Sequence, residues 1–123
     1  MITETKEMSA VDYFRAKLQF ETTPHELSSA LEKKSVFLVD VRDSESYKKE
    51  HITGSVNIPF ADIVGSLSKF PKDKTTVLYC WNITCALAPK AALMLAEKGF
   101  KVQELVGGIM EWKGKGFSVE SSK

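Results

Sequence analysis

Two cysteines stand in the stretch LYCWNITCALAPKAAL, residues 78–93, and the chain has no others. Cys80 ends a run of strand-forming residues, Cys85 follows five positions later, and an alanine-rich segment comes next. Sulfur attacks as the thiolate, and a free thiol is mostly protonated at neutral pH. A strand end followed by a helix start shifts that balance. The first N–H groups of a helix lack intrahelical partners, and the macrodipole favours negative charge there. A loop whose N–H groups curl around the sulfur adds to the effect. The loop Trp81, Asn82, Ile83, Thr84, Cys85 and Ala86 contains no proline, so every N–H is available. Cys80 is therefore read as a nucleophile. Cys85 is a candidate partner: a curled loop can bring it near Cys80, and a disulfide needs Cα atoms within about 7 Å. A plainer reading of Cys85, a small hydrophobe under the loop, stays open at this point.

The elements that would position these thiols follow from capping and periodicity. Ser9 precedes Asp12 by three, and Val11, Phe14 and Leu18 fall at helical spacing, so residues 9–18 form a short amphipathic helix whose apolar face packs on something. Thr23-Pro24-His25-Glu26 opens a second helix with Leu27, Ala30 and Leu31 on its buried face. Residues 36–39 are continuously apolar, as in a strand buried on both faces. Asp43 or Ser44 caps a short helix toward Glu50, residues 51–54 form a turn, and residues 56–58 form a brief strand stopped by Pro59. A helix near 62–67, a turn at 71–74 and a β-branched strand at 75–79 lead into Cys80. Residues 86–98 form a helix, with Leu87, Ala91, Met94 and Leu95 on one face, Pro89 in the first turn and Lys98-Gly99 as its stop. Residues 101–106 form another strand, and Gly107-Gly108 opens a last helix through Trp112. Strands alternating with helices define an α/β sandwich with a mainly parallel sheet, and such folds bind ligands beyond the carboxyl ends of the strands. Cys80 stands at such an end.

Composition removes several function classes. The 123 residues suit one globular domain, with 43% hydrophobic and 27% charged residues. A net charge of +1 offers no electrostatic footprint for nucleic acid or an anionic membrane. No apolar run has membrane-spanning length, and the polar, acidic start MITETKEMSA does not read as a secretion signal, which places the chain in the cytoplasm. Two cysteines there are thiols rather than a structural staple. His25 and His51 are far apart and lack paired ligand spacing, so no metal site is expected.

Three segments together resemble the single-domain rhodanese-like (sulfurtransferase) family. The first is FLVDVRDSESYKKEHITGSVNIPF, residues 37–60, similar to the family's strand-Asp-x-Arg followed by a His-Ile-x-Gly turn. The second is the Cys80 loop. The third is LVGGIMEWKGKGFSV, residues 105–119, similar to the family's Gly-Gly-Ile/Leu-x-x-Trp ending. The resemblance spans residues 20–119. It implies an N-terminal extension (1–19) before a rhodanese-like domain (20–123), a three-layer sandwich with a five-stranded sheet and helices on both faces. It further implies that Cys80 takes a sulfane sulfur as a persulfide and passes it to a thiol acceptor, without metal or organic cofactor. Asp40 and Arg42 match positions that support the active-site loop; His51, Gly54 and Trp112 match as structural residues. The donor and acceptor are small molecules or proteins.

The Cys-Trp-x-x-x-Cys loop looks like that of a particular subgroup, and it departs from the common catalytic pattern. Trp81 and Cys85 stand where basic residues usually lie, and Ile83 stands where glycine is usual. A β-branched residue does not take positive φ cheaply, so the loop is expected to adopt its own conformation. Without loop cations, only N–H groups, a distant Arg42 and Lys90 face a dianion such as thiosulfate, and thiosulfate is expected to be a weak donor. The loop is also too short, and lacks the arginine, for the phosphate chemistry of this fold's phosphatase relatives. Two other readings stay open: a thiol redox enzyme or sensor in which Cys85 resolves Cys80 to a disulfide, and a non-catalytic partner-binding module.

Overall fold

The computed structural model describes residues 7–122. Its helices start where local side chains can satisfy their first N–H groups. The Ser9 hydroxyl accepts the Asp12 N–H at 3.0 Å and opens α1 (Ala10–Phe20). Thr23 and Glu26 form a reciprocal capping box, with both backbone N–H groups held at 3.3 Å, and Pro24 occupies the first position of α2 (Pro24–Glu32). Asp43 caps α3 (Ser44–Lys49) through the Ser46 N–H at 2.8 Å. The two later helices are α4 (Leu87–Glu97) and α5 (Gly108–Gly114).

The main sheet has the order β1-β6-β5-β2-β4, and every neighbouring pair is parallel. Its strands are β1 (Glu21–Thr22), β2 (Val36–Asp40), β4 (Val56–Asn57), β5 (Thr75–Tyr79) and β6 (Val102–Leu105). The other two strands, β3 (His51–Ile52) and β7 (Val119–Glu120), pair antiparallel beside it. From β2 the chain moves outward to β4 on one flank; from β5 it moves to β6 on the other. The connections therefore diverge between β2 and β5, and their carboxyl ends leave an open crevice there. Asp40 and Tyr79 are register partners at this point, so the residues after them emerge side by side.

Alternation along the central strands divides the core into two layers. Val39, Val41, Leu78 and Cys80 face Ala88, Ala91 and Leu95 of α4, together with Ile58, Ile63 and Phe70. Leu38, Val77 and Tyr79 face Leu27 of α2 and Ile109 and Trp112 of α5. This is the three-layer α/β sandwich expected from the sequence, with helices on both faces of a five-stranded sheet.

Three local expectations are corrected, and one strand without a sequence signal, β1, is added. The segment read as a turn at 51–54 begins with β3, because its partner β7 comes from the far end of the chain. The helix near 62–67 is a pair of 3₁₀ segments, Phe60–Asp62 and Val64–Lys69, with Ser66 off helical geometry. β1 is too short to show any periodicity and exists through its pairing with β6. The apolar stripe of α1 does not pack inward: Val11, Phe14 and Leu18 are exposed, the last at 83%. The orientation of α1 is set instead by the strand it runs into and by the Gln103 side chain, which donates to the Gln19 carbonyl at 3.0 Å.

Tyr79 pins the small sheet to the large one. Its hydroxyl accepts the Ile52 N–H at 3.0 Å and lies 3.0 Å from the Ser55 hydroxyl, which donates to the Ile52 carbonyl at 2.7 Å. Burial pushes the phenol well above its ordinary pKa, so it stays a neutral hydrogen-bonding group. Tyr79→Phe should leave the buried Ile52 N–H unpaired and cost about 1–3 kcal/mol. The measurement is the shift of the urea unfolding midpoint at unchanged slope.

Candidate active site

Strand β5 delivers Cys80 buried, at 2% exposure, with its side chain on the α4 face. The chain then turns tightly. The Asn82 side-chain oxygen accepts the Thr84 N–H at 3.1 Å and the Thr84 hydroxyl at 2.9 Å, and the Asn82 carbonyl accepts the Cys85 N–H at 3.1 Å. Asn82 thus organises the loop as a local turn. Among the described residues Lys34 alone has a positive φ without being glycine, so Ile83 keeps ordinary backbone geometry. The loop avoids the left-handed conformation, as its composition predicted.

The expected convergence of loop N–H groups on Cys80 is only partly present, because the Thr84 and Cys85 groups are consumed inside the turn. The N–H groups that do reach sulfur come from the two ends of the loop. The Trp81 and Ala88 N–H groups favour the charged form of Cys80, and those of Trp81 and Leu87 favour the charged form of Cys85. No side chain among the described residues caps α4 at Ala86, which leaves its first N–H groups available for this role. The Cys80 thiol donates to the Cys85 carbonyl at 3.5 Å, and the two thiols shift each other's ionisation in opposite directions. The structure therefore brings Cys80 and Cys85 together as free, paired thiols.

Their ionisation is unequal. Burial pushes the Cys80 thiol up to about 12, reinforced by its role as proton donor to Cys85 and opposed by the Ala88 and Trp81 N–H groups. Cys85 lies below the ordinary thiol value. Burial opposes its charge, but the Cys80 S–H and the N–H groups of Trp81 and Leu87 outweigh that cost. The pair gives up its first proton from the Cys85 side, and Cys80 then donates to the resulting thiolate.

Asp40 and Arg42 lie beneath the loop, both fully buried. The Arg42 guanidinium contacts both Asp40 carboxylate oxygens, at 2.6 Å through Nη2 and at 3.0 and 3.1 Å through Nε, and donates to the Glu50 carbonyl at 2.6 Å. Its carbon sits 4.4 Å from the centre of the Trp81 ring, within cation–π range. Arg42 thus supports the loop through Trp81. His51 is elsewhere: it stacks on Tyr47 at 3.8 Å and bonds the Tyr47 carbonyl and Glu120.

The start of α5 closes the loop from the other side. Ile109 N–H donates to the Cys80 carbonyl at 3.1 Å, and Met110 N–H donates to the Trp81 carbonyl at 3.0 Å. A Cβ on Gly108 would stand 2.5 Å from the Cys80 oxygen, and Gly108 has φ +59°. Only glycine lets this helix approach so closely. The Gly-Gly pair read from sequence as a helix opening is also a backbone clamp on Cys80 and Trp81.

Beside the thiols lies a cavity of about 280 Å³. Its walls include Ile83, Thr84, Cys85 and Ala86 from the loop, with Lys17, Glu21 and Glu104 opposite; Cys80 is not among them. Glu21 and Glu104 are register partners on β1 and β6, and Lys17 pairs with Glu21 at 2.7 Å. Burial, and then the Glu21 charge, raise the Glu104 carboxyl above its ordinary value, against the opposing effect of Lys17. Lys17, Glu21 and Glu104 were not singled out in the sequence, and no motif marks them. They meet because β1 pairs with β6.

A parallel α/β sandwich with a cysteine between strand end and helix start is the arrangement on which thiol group-transfer domains are built. The chain belongs to the rhodanese-like domain family, whose model matches residues 23–115. It is 33% identical over 84 residues to the thiosulfate sulfurtransferase GlpE of Coxiella burnetii, covering 68% of this chain and 77% of that one. It is 37% identical over 98 residues to an HTH-type transcriptional regulator of Mycobacterium tuberculosis, covering 80% of this chain but only 43% of the regulator. The crystal structure of the BH2092 protein from Bacillus halodurans superposes with a TM-score of 0.84 at 37% identity, over 92% of this chain and 85% of that one.

Two outcomes test the site's geometry. Gly108→Ala should destabilise the fold by about 2 kcal/mol or more, since both its φ and its Cβ contact become unfavourable; thermal unfolding measures this. Cys80→Ala removes the S–H that stabilises the Cys85 thiolate. The Cys85 pKa should then rise, so its alkylation by iodoacetamide should slow at neutral pH and its rate profile should move to higher pH.

Proposed function

We propose that this protein is a sulfurtransferase that carries a sulfane sulfur as a persulfide on Cys80 and delivers it to a thiol acceptor. The observation that supports this most directly is the position of the Cys80 sulfur. It sits at a strand end under the N–H groups of Trp81 and Ala88, where a persulfide anion would be stabilised. The acceptor thiolate attacks the outer sulfur, its new S–S bond replaces the one to Cys80, and Cys80 leaves with the electron pair as thiolate. Asp40 and Arg42 hold the loop through Trp81, and Asn82 and Thr84 fix its turn. Thiol-to-thiol sulfur transfer needs no metal or organic cofactor. Two free thiols fit a reducing compartment, the cytoplasm.

The donor follows from charge. Arg42 is committed to Asp40, and the cavity beside the thiols presents Glu21 and Glu104 against a Lys17 already paired. A dianion such as thiosulfate meets strong repulsion there, whereas the single charge of a persulfide on a small thiol or a protein meets less. The relatives named thiosulfate sulfurtransferase support the reaction class rather than this donor.

The adjacent thiols, with Cys80 donating to the Cys85 carbonyl, favour one second reading. Cys85 can attack the inner sulfur of a Cys80 persulfide, releasing hydrosulfide and leaving a Cys80–Cys85 disulfide that an external thiol reductant resets. A partner-binding module without catalysis is the remaining alternative in this family.

The test is turnover with a synthetic alkyl persulfide as donor and dithiothreitol as acceptor, with peptide mass mapping of the resting protein. One added sulfur should rest on Cys80, Cys80→Ser should lose turnover, and thiosulfate should be the slower donor. A disulfide-linked peptide with released sulfide supports the second reading. Absence of sulfur on the Cys80 peptide overturns the persulfide assignment, and brisk thiosulfate turnover that survives moderate salt overturns the donor assignment.

A further inference from the structure

We propose that Cys85, not Cys80, is the thiol that takes sulfur from the donor, and that it relays that sulfur inward to Cys80. The inference rests on the reading above that Cys80 carries a sulfane sulfur. Two geometric facts carry it. Cys85 lines the cavity of about 280 Å³ and Cys80 does not, so a donor in the cavity meets Cys85 first. Cys80 lies beneath the loop at 2% exposure, with its S–H held 3.5 Å from the Cys85 carbonyl. The two thiols bear on each other's ionisation, and the Trp81 N–H favours the charged form of both.

The ionisation order is consistent with this route. Cys85 is the thiol favoured as thiolate, with Cys80 as its proton donor.

Each step balances. The Cys85 thiolate attacks the outer sulfur of an alkyl persulfide, R–S–SH. A Cys85 S–S bond forms, the donor S–S bond breaks, and the alkyl thiolate leaves with the electron pair. The product is Cys85–S–SH. The Cys80 sulfur then attacks that same outer sulfur, and the Cys85 S–S bond breaks. Cys85 departs as thiolate and takes up the proton that Cys80 gives up. Nothing is oxidised or reduced overall. The persulfide on Cys80 projects one S–S bond, about 2 Å, further out than the thiol did. Burial that keeps donors from Cys80 therefore keeps an acceptor from its outer sulfur less strictly.

The experiment is rapid-quench loading with a synthetic alkyl persulfide, with alkylative trapping and peptide mass mapping at successive times. Wild type should show the added sulfur on Cys85 first and on Cys80 later. Cys80→Ser should still load Cys85 and should hold the sulfur there without passing it on. Cys85→Ser should load Cys80 about tenfold or more slowly, since the buried, protonated thiol must then attack unaided. Brief iodoacetamide treatment of the unaltered protein supplies a measurement that no variant's folding can distort, and it should modify Cys85 ahead of Cys80. Loading of Cys85→Ser at the wild-type rate, a first adduct on Cys80, or Cys80 alkylated first overturns the relay while leaving the sulfurtransferase reading intact. Absence of any adduct in all three proteins overturns that reading and the relay with it.

Discussion

The buried ion pair between Asp40 and Arg42 is the constraint around which the cysteine-bearing end of the sheet is arranged. A guanidinium out of water is tolerable only when nearly all its capacity is met, and removing one partner of such a pair costs about 3–5 kcal/mol. Here Asp40 supplies both oxygens, the Glu50 carbonyl takes a further N–H, and the Trp81 and Tyr79 rings cover the rest at 4.4 and 5.9 Å. Asn57 ties in β4 by donating to the Asp40 and Arg42 carbonyls at 3.0 Å each. The Arg42 side chain thereby fixes the end of β2, the exit from α3 and the first residue of the loop, and the Asn57 amide adds the edge strand β4. The loop is shaped by groups that never face the cavity.

That arrangement has an electrostatic consequence. A cation under the active-site loop would ordinarily be available to a substrate anion or to a thiolate. Arg42 is neutralised by Asp40, so its influence on the loop is through the Trp81 ring. The thiolate must then be stabilised by backbone N–H groups and by the second thiol. These weaker donors suit a site that handles a singly charged sulfur. The carboxylates across the cavity press in the same direction, since β1 places Glu21 opposite Glu104 and leaves Lys17 to offset only one of them.

The residues legible in the sequence were those whose role is local. The capping box at Thr23 and Glu26, the Asp43 cap, the strand at 75–79 and the helix after Cys85 depend on neighbours within a few positions, and all are present in the structure. The place of Cys80 followed from two such elements meeting. What could not be read depends on partners distant in the chain. β3 exists because β7 returns to it, and the acidic wall exists because β1 pairs with β6. The close approach that demands Gly108 is made to Cys80 and Trp81, far from it in sequence. The apolar stripe of α1 misled for a related reason. Periodicity states that a helix has two faces, but the direction of the apolar one is set by how the helix is anchored.

The same anchoring gives the N-terminal extension a place in the site. α1 ends in the C-cap Glu21, which is also the first residue of β1 and a cavity wall, and Lys17 on the last turn of α1 reaches Glu21 at 2.7 Å. Among the described residues Lys17 is also the only cation in the cavity's walls. A helix that looks like a separate appendage in the sequence therefore supplies the cavity's positive charge and one of its two carboxylates. The rhodanese-like match begins at residue 23, just past both residues. The electrostatic character of the cavity beside Cys85 is thus written partly outside the segment that identifies the family, while the thiols themselves lie inside it. The thiols and the charges beside them are divided between the segment shared with the family and the residues that precede it.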